Sequence, residues 1–404
     1  MKERLHHKML DRCETLIEWY EHKLDGEFIP FYSSYDVRDA GFKIGNVDGN
    51  IFPAGFNNIC QVDKESAPEI ATDFLEYTFP SCKKILLLTE DHLKNLYYWE
   101  NVIAICDMLT EAGYDVRAGM LSSEIGEGQT LQSFSGKDIF IARVYSESGQ
   151  LMLKDFVPDL VISNNDFSNP YDDVDFSKTL MTPLRELGWY QRKKNAYFQN
   201  YNALVEEFAE IIEEDPWLFQ VQTELFQSFD IKDDGSREKL AQRSQEIIDE
   251  IGEKYKQHQV NESPYVFIKN NSGTYGLGVV EAYSGEDIMG WNYKSKKKMK
   301  AAKGGGGISQ VIIQEGIPSS LQEGGATAEP VLYMIGKELV GGFLRTHEGK
   351  DAKQSLNSPG AVYKRLCLSD LKVRAEGCPL ENVYGWIAKI GLLSITQEAQ
   401  AFKK

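Results

Sequence analysis

The stretch Pro264-Tyr-Val-Phe-Ile-Lys-Asn-Asn-Ser-Gly-Thr-Tyr-Gly-Leu-Gly-Val-Val280 constrains this chain more than any other. An apolar run carrying one lysine, Lys269, leads into a loop built from Ser272, Gly273, Gly276 and Gly278, and a second apolar run follows. Both runs have the length and composition of strands. Glycines let a loop turn its backbone N–H groups toward an anion, with no Cβ to block close approach. A lysine at the end of the first strand reaches the same anion as a point charge. Strand, lysine, glycine loop and strand therefore read as a lid over nucleotide phosphates. A P-loop is excluded because no Gly-Lys-Ser/Thr opens a helix here, and the dinucleotide fingerprint because a strand follows instead of a helix.

At 404 residues the chain is long enough for two or three packed units. A net charge of -17 argues against a general nucleic-acid binder, so an anionic substrate must be drawn by a local basic cluster. Cys13, Cys60, Cys82, Cys106, Cys367 and Cys378 are scattered, with no Cys-x-x-Cys and no zinc spacing. They read as six reduced thiols in a cytoplasmic protein. No apolar run approaches a bilayer span, so no membrane partner is expected.

Residues 1 to 25 have helical spacing, with Gly26 as the stop. Residues 28 to 62 lack periodicity and crowd together Asp36, Arg38, Asp39, Lys43, Asn46, Asp48, Asn57 and Asn58. They read as a long surface loop or as a substrate-contacting one. From Lys83 the pattern turns α/β. Strands are expected at 84–89, 115–121, 138–142 and 159–163, with a helix over 97–112, which implies a mostly parallel sheet covered on both faces. Asn164, Asn165 and Asp166 follow a strand's carboxyl end, where such sheets place ligands. Residues 183 to 260 read as helices. The basic, glycine-rich segment 294–307 reads as a mobile or solvated face, with a loop closing over triphosphate as the second reading.

Beyond the glycine loop the order continues. Gln310-Val-Ile-Ile-Gln-Glu-Gly-Ile317 is a buried strand, Val331 to Leu344 a hairpin running into Arg345, and Asn357-Ser-Pro-Gly-Ala361 closes the segment. This order resembles the ATP-grasp superfamily. The glycine loop with its doubled asparagine, the Phe52-Pro-Ala-Gly-Phe-Asn-Asn58 segment and Gly188-Trp-Tyr-Gln-Arg192 are similar to the proteobacterial glutamate–cysteine ligase family.

The resemblance implies a Rossmann-like α/β domain followed by an ATP-grasp fold of two α+β subdomains. The expected units are residues 1–182 (N-terminal helix, polar segment and α/β domain), 183–260 (helical connection) and 261–404 (nucleotide-binding region). It implies ATP and Mg²⁺ as cofactors, and glutamate and cysteine as small-molecule substrates. A homo-oligomer is left open. By resemblance Lys269 contacts the α/β phosphates, and the loop from Ser272 through Gly273, Tyr275 and Gly276 to Gly278 covers them. Gln314, Glu315 and Ile317 form the adenine hinge, Glu323 is a candidate for the ribose, and Arg345 lies near the transferred phosphoryl group.

The family's late Glu-x-Asn pair is not reproduced, because Ser355 stands where the glutamate belongs before Asn357. Glu329 with Asn357 is the pair expected at the metal, with Asp351 and Glu398 as further carboxylates. Arg38, Asn57, Asn58 and Arg192 are the substrate candidates, the arginines for an α-carboxylate.

The implied reaction activates the γ-carboxylate of glutamate as an acyl phosphate, which the amine of cysteine then attacks. No protein nucleophile is required. Another ATP-grasp amino-acid or peptide ligase, an ATP-dependent kinase, and a non-catalytic nucleotide-binding regulatory protein are the alternatives.

Overall fold

The computed structural model describes residues 1–273, 278–299, 308–373, 378 and 380–402. Two helices, α1 (Lys2–Asp11) and α2 (Cys13–Leu24), open the chain where one was expected. Arg12 leaves the helical region, with φ -116° and ψ 18°, and divides them. Residues 28 to 62 are not a surface loop. They form the strands β1 (Tyr32–Asp39) and β2 (Ile44–Asn50), a 3-10 turn at Phe56–Asn58, and the start of α3 (Gln61–Thr78). All eight residues of β1 are buried although five of its side chains are polar or charged, so no apolar alternation marks it in the sequence.

The α/β unit follows as expected. β3 (Lys84–Thr89) is an apolar run buried on both faces, and α4 (Leu96–Glu111) is capped by Asn95, which accepts from the Tyr98 N–H. β4 (Asp115–Met120), β5 (Gly128–Gln132) and β6 (Asp138–Arg143) come next, then the small hairpin β7 (Tyr145–Glu147) and β8 (Gln150–Met152). β9 (Leu160–Ser163) and β10 (Met181–Thr182) complete the sheet, whose order is β10-β9-β3-β4-β6-β5. All its pairings are parallel except that of β5 with β6.

α5 (Lys194–Ile211) opens the next region. The strand β11 (Thr223–Phe226) then interrupts a stretch expected to be helical. Asp233 caps α6 (Asp234–Gln257) by accepting from the N–H groups of Gly235 and Ser236. β12 (Val266–Asn270) and β13 (Val279–Ala282) flank the glycine loop, and the short helices α7 (Gly285–Met289) and α8 (Tyr293–Lys298) follow. β14 (Val311–Glu315) completes a four-stranded antiparallel sheet of order β11-β14-β12-β13, covered by α6. Of the basic segment, residues 300–307 lie outside the described residues.

The last sheet joins both ends of the chain. β15 (Gln322–Glu323), β16 (Ala326–Ile335), β17 (Glu338–His347) and β18 (Val362–Leu366) extend antiparallel from β1 and β2, in the order β18-β17-β16-β1-β2. The sheet therefore combines residues from the first and the last of the expected units. On one face it carries α9 (Val383–Phe402), which is buried on nearly every side as its apolar sequence requires. Tyr35, Val37, Leu332 and Met334 pack there. The other face carries Tyr32, Val331, Tyr333, Ile335 and Phe343 against α3. A Rossmann-like unit followed by two antiparallel α+β layers is the ATP-grasp arrangement expected from the order of motifs. Among the described residues, no helix is long and apolar enough to cross a membrane.

The expectation of six separate thiols is corrected. Cys13 is bonded to Cys378 and Cys60 to Cys367, across sequence separations of 365 and 307 residues that hide the pairing from any local spacing rule. Cys82 and Cys106 are free.

Candidate active site

The site begins where an apolar sheet face turns charged. Along β16, side chains of one face alternate as Ile335, Tyr333 and Val331 in the core, and the next is Glu329. On β17 the same face runs from Phe343 to Arg345, and on β1 from Tyr32 to Asp36. Glu329 and Arg345 are directly opposed across the β16–β17 ladder. Arg345 Nη1 donates to Asp36 Oδ2 and to Glu329 Oε1, each at 2.7 Å. Arg38 Nε pairs with the other oxygen of Glu329. All four groups are buried. Burial pushes Asp36 up against the pull of Arg345, and the charge of Glu329 adds to the rise. Burial acts on Glu329 too, yet Arg38 and Arg345 together hold it below the usual carboxylate range. The two carboxyls are thus driven apart in acidity.

A cleft lies between this face and the four-stranded sheet. Asp36, Arg38, Val47, Asp48 and Glu329 line one wall, and Lys194, Phe267, Lys269, Asn270, Gly273 and Val279 the other, with Ile317, Ser355 and Asn357 at its edges. A register shift in the β1–β2 pairing between Asp36 and Val37 marks a bulge, which lets the adjacent residues Val47 and Asp48 both face the cleft. The apolar side chains Val47, Phe267, Val279 and Ile317 suit a flat aromatic ring. The cations Lys194 and Lys269 suit phosphate.

Lys269 sits at the end of β12, as the sequence placed it. Its Nζ donates to Val47 O at 3.1 Å and to the side-chain oxygen of Gln314. Burial lowers its pKa to about 8, Asp48 pulls the other way, and Lys194 adds to the fall. Lys194 is ion-paired with Asp48, whose carboxyl stays low despite burial because Lys194 and Lys269 face it.

The doubled asparagine has a structural use. Asn271 donates through Nδ2 to Asn195 Oδ1 at 2.8 Å and accepts from the Asn195 N–H at 3.0 Å. Asn270 closes a turn on Ser272, and Lys193 Nζ donates to Ser272 Oγ at 2.6 Å. The first half of the glycine loop is therefore moored to the start of α5. The far end is Gly278, whose φ of +64° is a conformation that side chains disfavour. Tyr275 and Gly276 lie outside the described residues.

The remaining expected residues are dispersed. Glu315 is buried with its carboxylate on Lys43, both oxygens at 2.8 Å, so its side chain ties the four-stranded sheet to the residue before β2. Glu323 is exposed on β15 and does not line the cleft. Asn57 and Asn58 lie in the 3-10 turn, hydrogen-bonded to each other at 3.1 Å and away from the cleft. Arg38 lines the cleft, but its Nη atoms donate to the carbonyls of Ala352 and Gln354 and brace the loop that carries Asn357. Arg192 is buried against Glu398 and Gly49 O. Each arginine has thus found protein acceptors. Arg345 does not line the cleft, and stands behind Asp36 and Glu329.

Sequence reasoning placed Asp36 and Asp48 only within a segment read as a surface or substrate-contacting loop, and assigned no role to Lys194, Val47 or Phe267. The signal for the first two was the density of polar groups between residues 36 and 58. Lys194 gave only the basic opening of a helix.

The chain is similar to solved structures over 79–98% of its length. It covers 98% of itself and 95% of a Methylobacillus flagellatus KT protein provisionally assigned as a gamma-glutamylcysteine synthetase, at 31% identity and a TM-score of 0.89. D-alanyl-alanine synthetase A from Vibrio cholerae is 12% identical over 79% of this chain and 81% of that one, with a TM-score of 0.37. A glutathione synthetase-like effector from Globodera pallida is 13% identical over 90% and 82%, with a TM-score of 0.38. No curated protein sequence shows significant similarity. The glutamate–cysteine ligase family model matches residues 6–399. The chain therefore belongs to the glutamate–cysteine ligase family.

Proposed function

We propose that this ATP-dependent ligase joins the γ-carboxylate of glutamate to the amine of cysteine in the cleft between the four-stranded sheet and β1–β2. The observation that carries the assignment is the convergence there of Lys194 and Lys269 with Asp36, Asp48 and Glu329, beside an apolar slot of Val47, Phe267, Val279 and Ile317. The purine ring takes the slot. Lys269 and Lys194 hold phosphate oxygens as point charges, under the loop that runs from Ser272 to Gly278. The carboxylate of glutamate attacks the γ-phosphate, and the cations neutralise charge gathering on oxygen. The amine of cysteine then displaces phosphate from the acyl carbon. No side-chain nucleophile takes part.

Mg²⁺ fits the donor set. Glu329 with Asp36 on one wall, and Asn357 at the edge of the cleft, offer oxygen ligands, which a hard cation requires. Mg²⁺ there would neutralise phosphate charge. In this reading Arg345 acts one layer behind, fixing Asp36 and Glu329 toward the cleft.

Two experiments test the proposal. ADP release by the purified protein should require both glutamate and cysteine, and hydroxylamine with glutamate should yield the γ-glutamyl hydroxamate. Equal phosphate release without cysteine would refute the assignment. Asn357→Ala lies on an exposed loop residue, and should raise the Mg²⁺ concentration for half-maximal rate by about tenfold while leaving the thermal midpoint unchanged. An unaltered Mg²⁺ titration would remove Asn357 from the metal.

A further inference from the structure

The disulfide between Cys60 and Cys367 lies beside the strand that follows the cleft loop. Cys60 is the residue before α3, and Cys367 directly follows β18. Their Cα atoms are 5.3 Å apart, inside the range that a disulfide spans without backbone movement. The Arg365 guanidinium donates to Cys367 Sγ at 2.8 Å, which sets a cation beside the sulfur. Asp63, in the first turn of α3, accepts from the Leu368 N–H at 2.9 Å, so a second link joins the same two segments.

Among the described residues β18 is an edge strand, exposed along most of its length and paired within the sheet only with β17. An edge of this kind opens more readily than the sheet interior. The loop 348–361, which carries Ser355 and Asn357 into the cleft, runs directly into it.

We propose that Cys60 and Cys367 are a reversible modification site, oxidised to a disulfide by exchange with a small-molecule disulfide, and that the bond clamps β18 and steadies the loop bearing Asn357. The Cys367 thiolate attacks one sulfur of the small disulfide, forming a mixed disulfide and expelling one thiolate. Cys60 gives its proton to solvent, and its thiolate attacks the Cys367 sulfur and expels the second. Two protein thiols become one disulfide, and the small disulfide is reduced to two thiols. With Cys60 8% and Cys367 3% exposed, the exchange proceeds through opening of the β18 edge. A clamped loop has less freedom to lose when nucleotide binds, so the oxidised form binds ATP more tightly.

The test compares the full-length protein after dithiothreitol with the same protein after oxidised glutathione. Alkylation and peptide mass mapping should find Cys60 linked to Cys367 in the second sample and both alkylated in the first. Hydrogen exchange over 348–366 should slow on oxidation, and KM for ATP should fall by about fivefold with kcat unchanged. Cys60→Ser and Cys367→Ser should each hold the reduced values in both buffers, while Cys13→Ser keeps the response. Full alkylation of Cys60 and Cys367 after oxidant would overturn the proposal. So would a disulfide that leaves both hydrogen exchange and KM unmoved. Asp63 lies close enough to both sulfurs for the three to hold a metal ion. One equivalent of zinc retained by the reduced protein and lost in Cys60→Ser would therefore also overturn it. Alkylation and hydrogen exchange do not depend on which amino acids the enzyme joins, so they fail or succeed apart from the proposed reaction.

Discussion

Lys269→Met should lower kcat/KM for ATP by about a hundredfold, as expected when a buried cation facing transferred charge is removed. Methionine keeps the length and apolar stem of the side chain, so the loss reports charge. The pH profile supplies a sharper test. Burial brings Lys269 to about 8, so the free enzyme loses this cation as pH rises through that value. The kcat/KM for ATP should therefore fall about tenfold per pH unit above about 8. Lys269→Arg keeps its charge at any accessible pH, and the alkaline limb should leave the measured range even if the rate is lower.

Stability should move the other way. Between about 8 and the ordinary lysine value, the unfolded chain binds more protons at this position than the folded one. The contribution of Lys269 to stability therefore rises with pH across that window. A Lys269→Met rate within threefold of the parent would dismiss the lysine as a phosphate contact. An alkaline limb that persists in Lys269→Arg would assign it to another group.

The elements that announced themselves in the sequence are those whose neighbours are apolar. β3 and β9 are covered on both faces and read as unbroken hydrophobic runs. β12 and β13 are marked by the glycines between them. β1 was illegible for the opposite reason. One of its faces carries core residues such as Tyr35 and Val37, and the other carries Asp36 and Arg38 into the cleft. With both faces buried and one charged, neither alternation nor hydrophobicity distinguishes it from a loop.

The candidate metal ligands were illegible by spacing for a related reason. Glu329 lies on β16 and Asn357 on the loop after β17, and the fold, not the local sequence, brings both to the lining of one cleft. Asp36 and Asp48 come together only because β1 and β2 pair across a bulge. Arg38 and Arg192 illustrate a limit of composition. A guanidinium suited to a substrate carboxylate is equally suited to a protein one, and only the fold decides which is nearer.

Arg192→Met is expected to destabilise the protein by about 3–5 kcal/mol, the cost of leaving one partner of a buried ion pair behind. The guanidinium lies between Trp189 and Tyr197, with Nη2 at 2.9 Å from Glu398 Oε2, Nε at 3.2 Å from both carboxylate oxygens, and Nη1 at 2.8 Å from Gly49 O. The side chains of Arg192 and Glu398 are only 2% and 3% exposed, so water cannot replace the lost contacts. These bonds join β2, α9 and the segment entering α5, which also moors the glycine loop. Urea unfolding should show the loss as a lower midpoint with little change in slope. The double variant Arg192→Met/Glu398→Leu should recover much of it, because two apolar groups of similar volume leave no buried charge unpaired. The pH dependence has a definite sign. Burial already raises the Glu398 carboxyl, against the attraction of Arg192, and removing the arginine raises it further. The folded variant then holds a proton that the unfolded chain releases above its ordinary carboxylate value. The variant's stability is therefore best preserved at low pH and lost as pH rises through the folded value. The deficit relative to the parent should be smaller near pH 5 than near pH 8. A deficit below about 1 kcal/mol, or one that is flat across this range, would show that Glu398 finds another partner when Arg192 is gone.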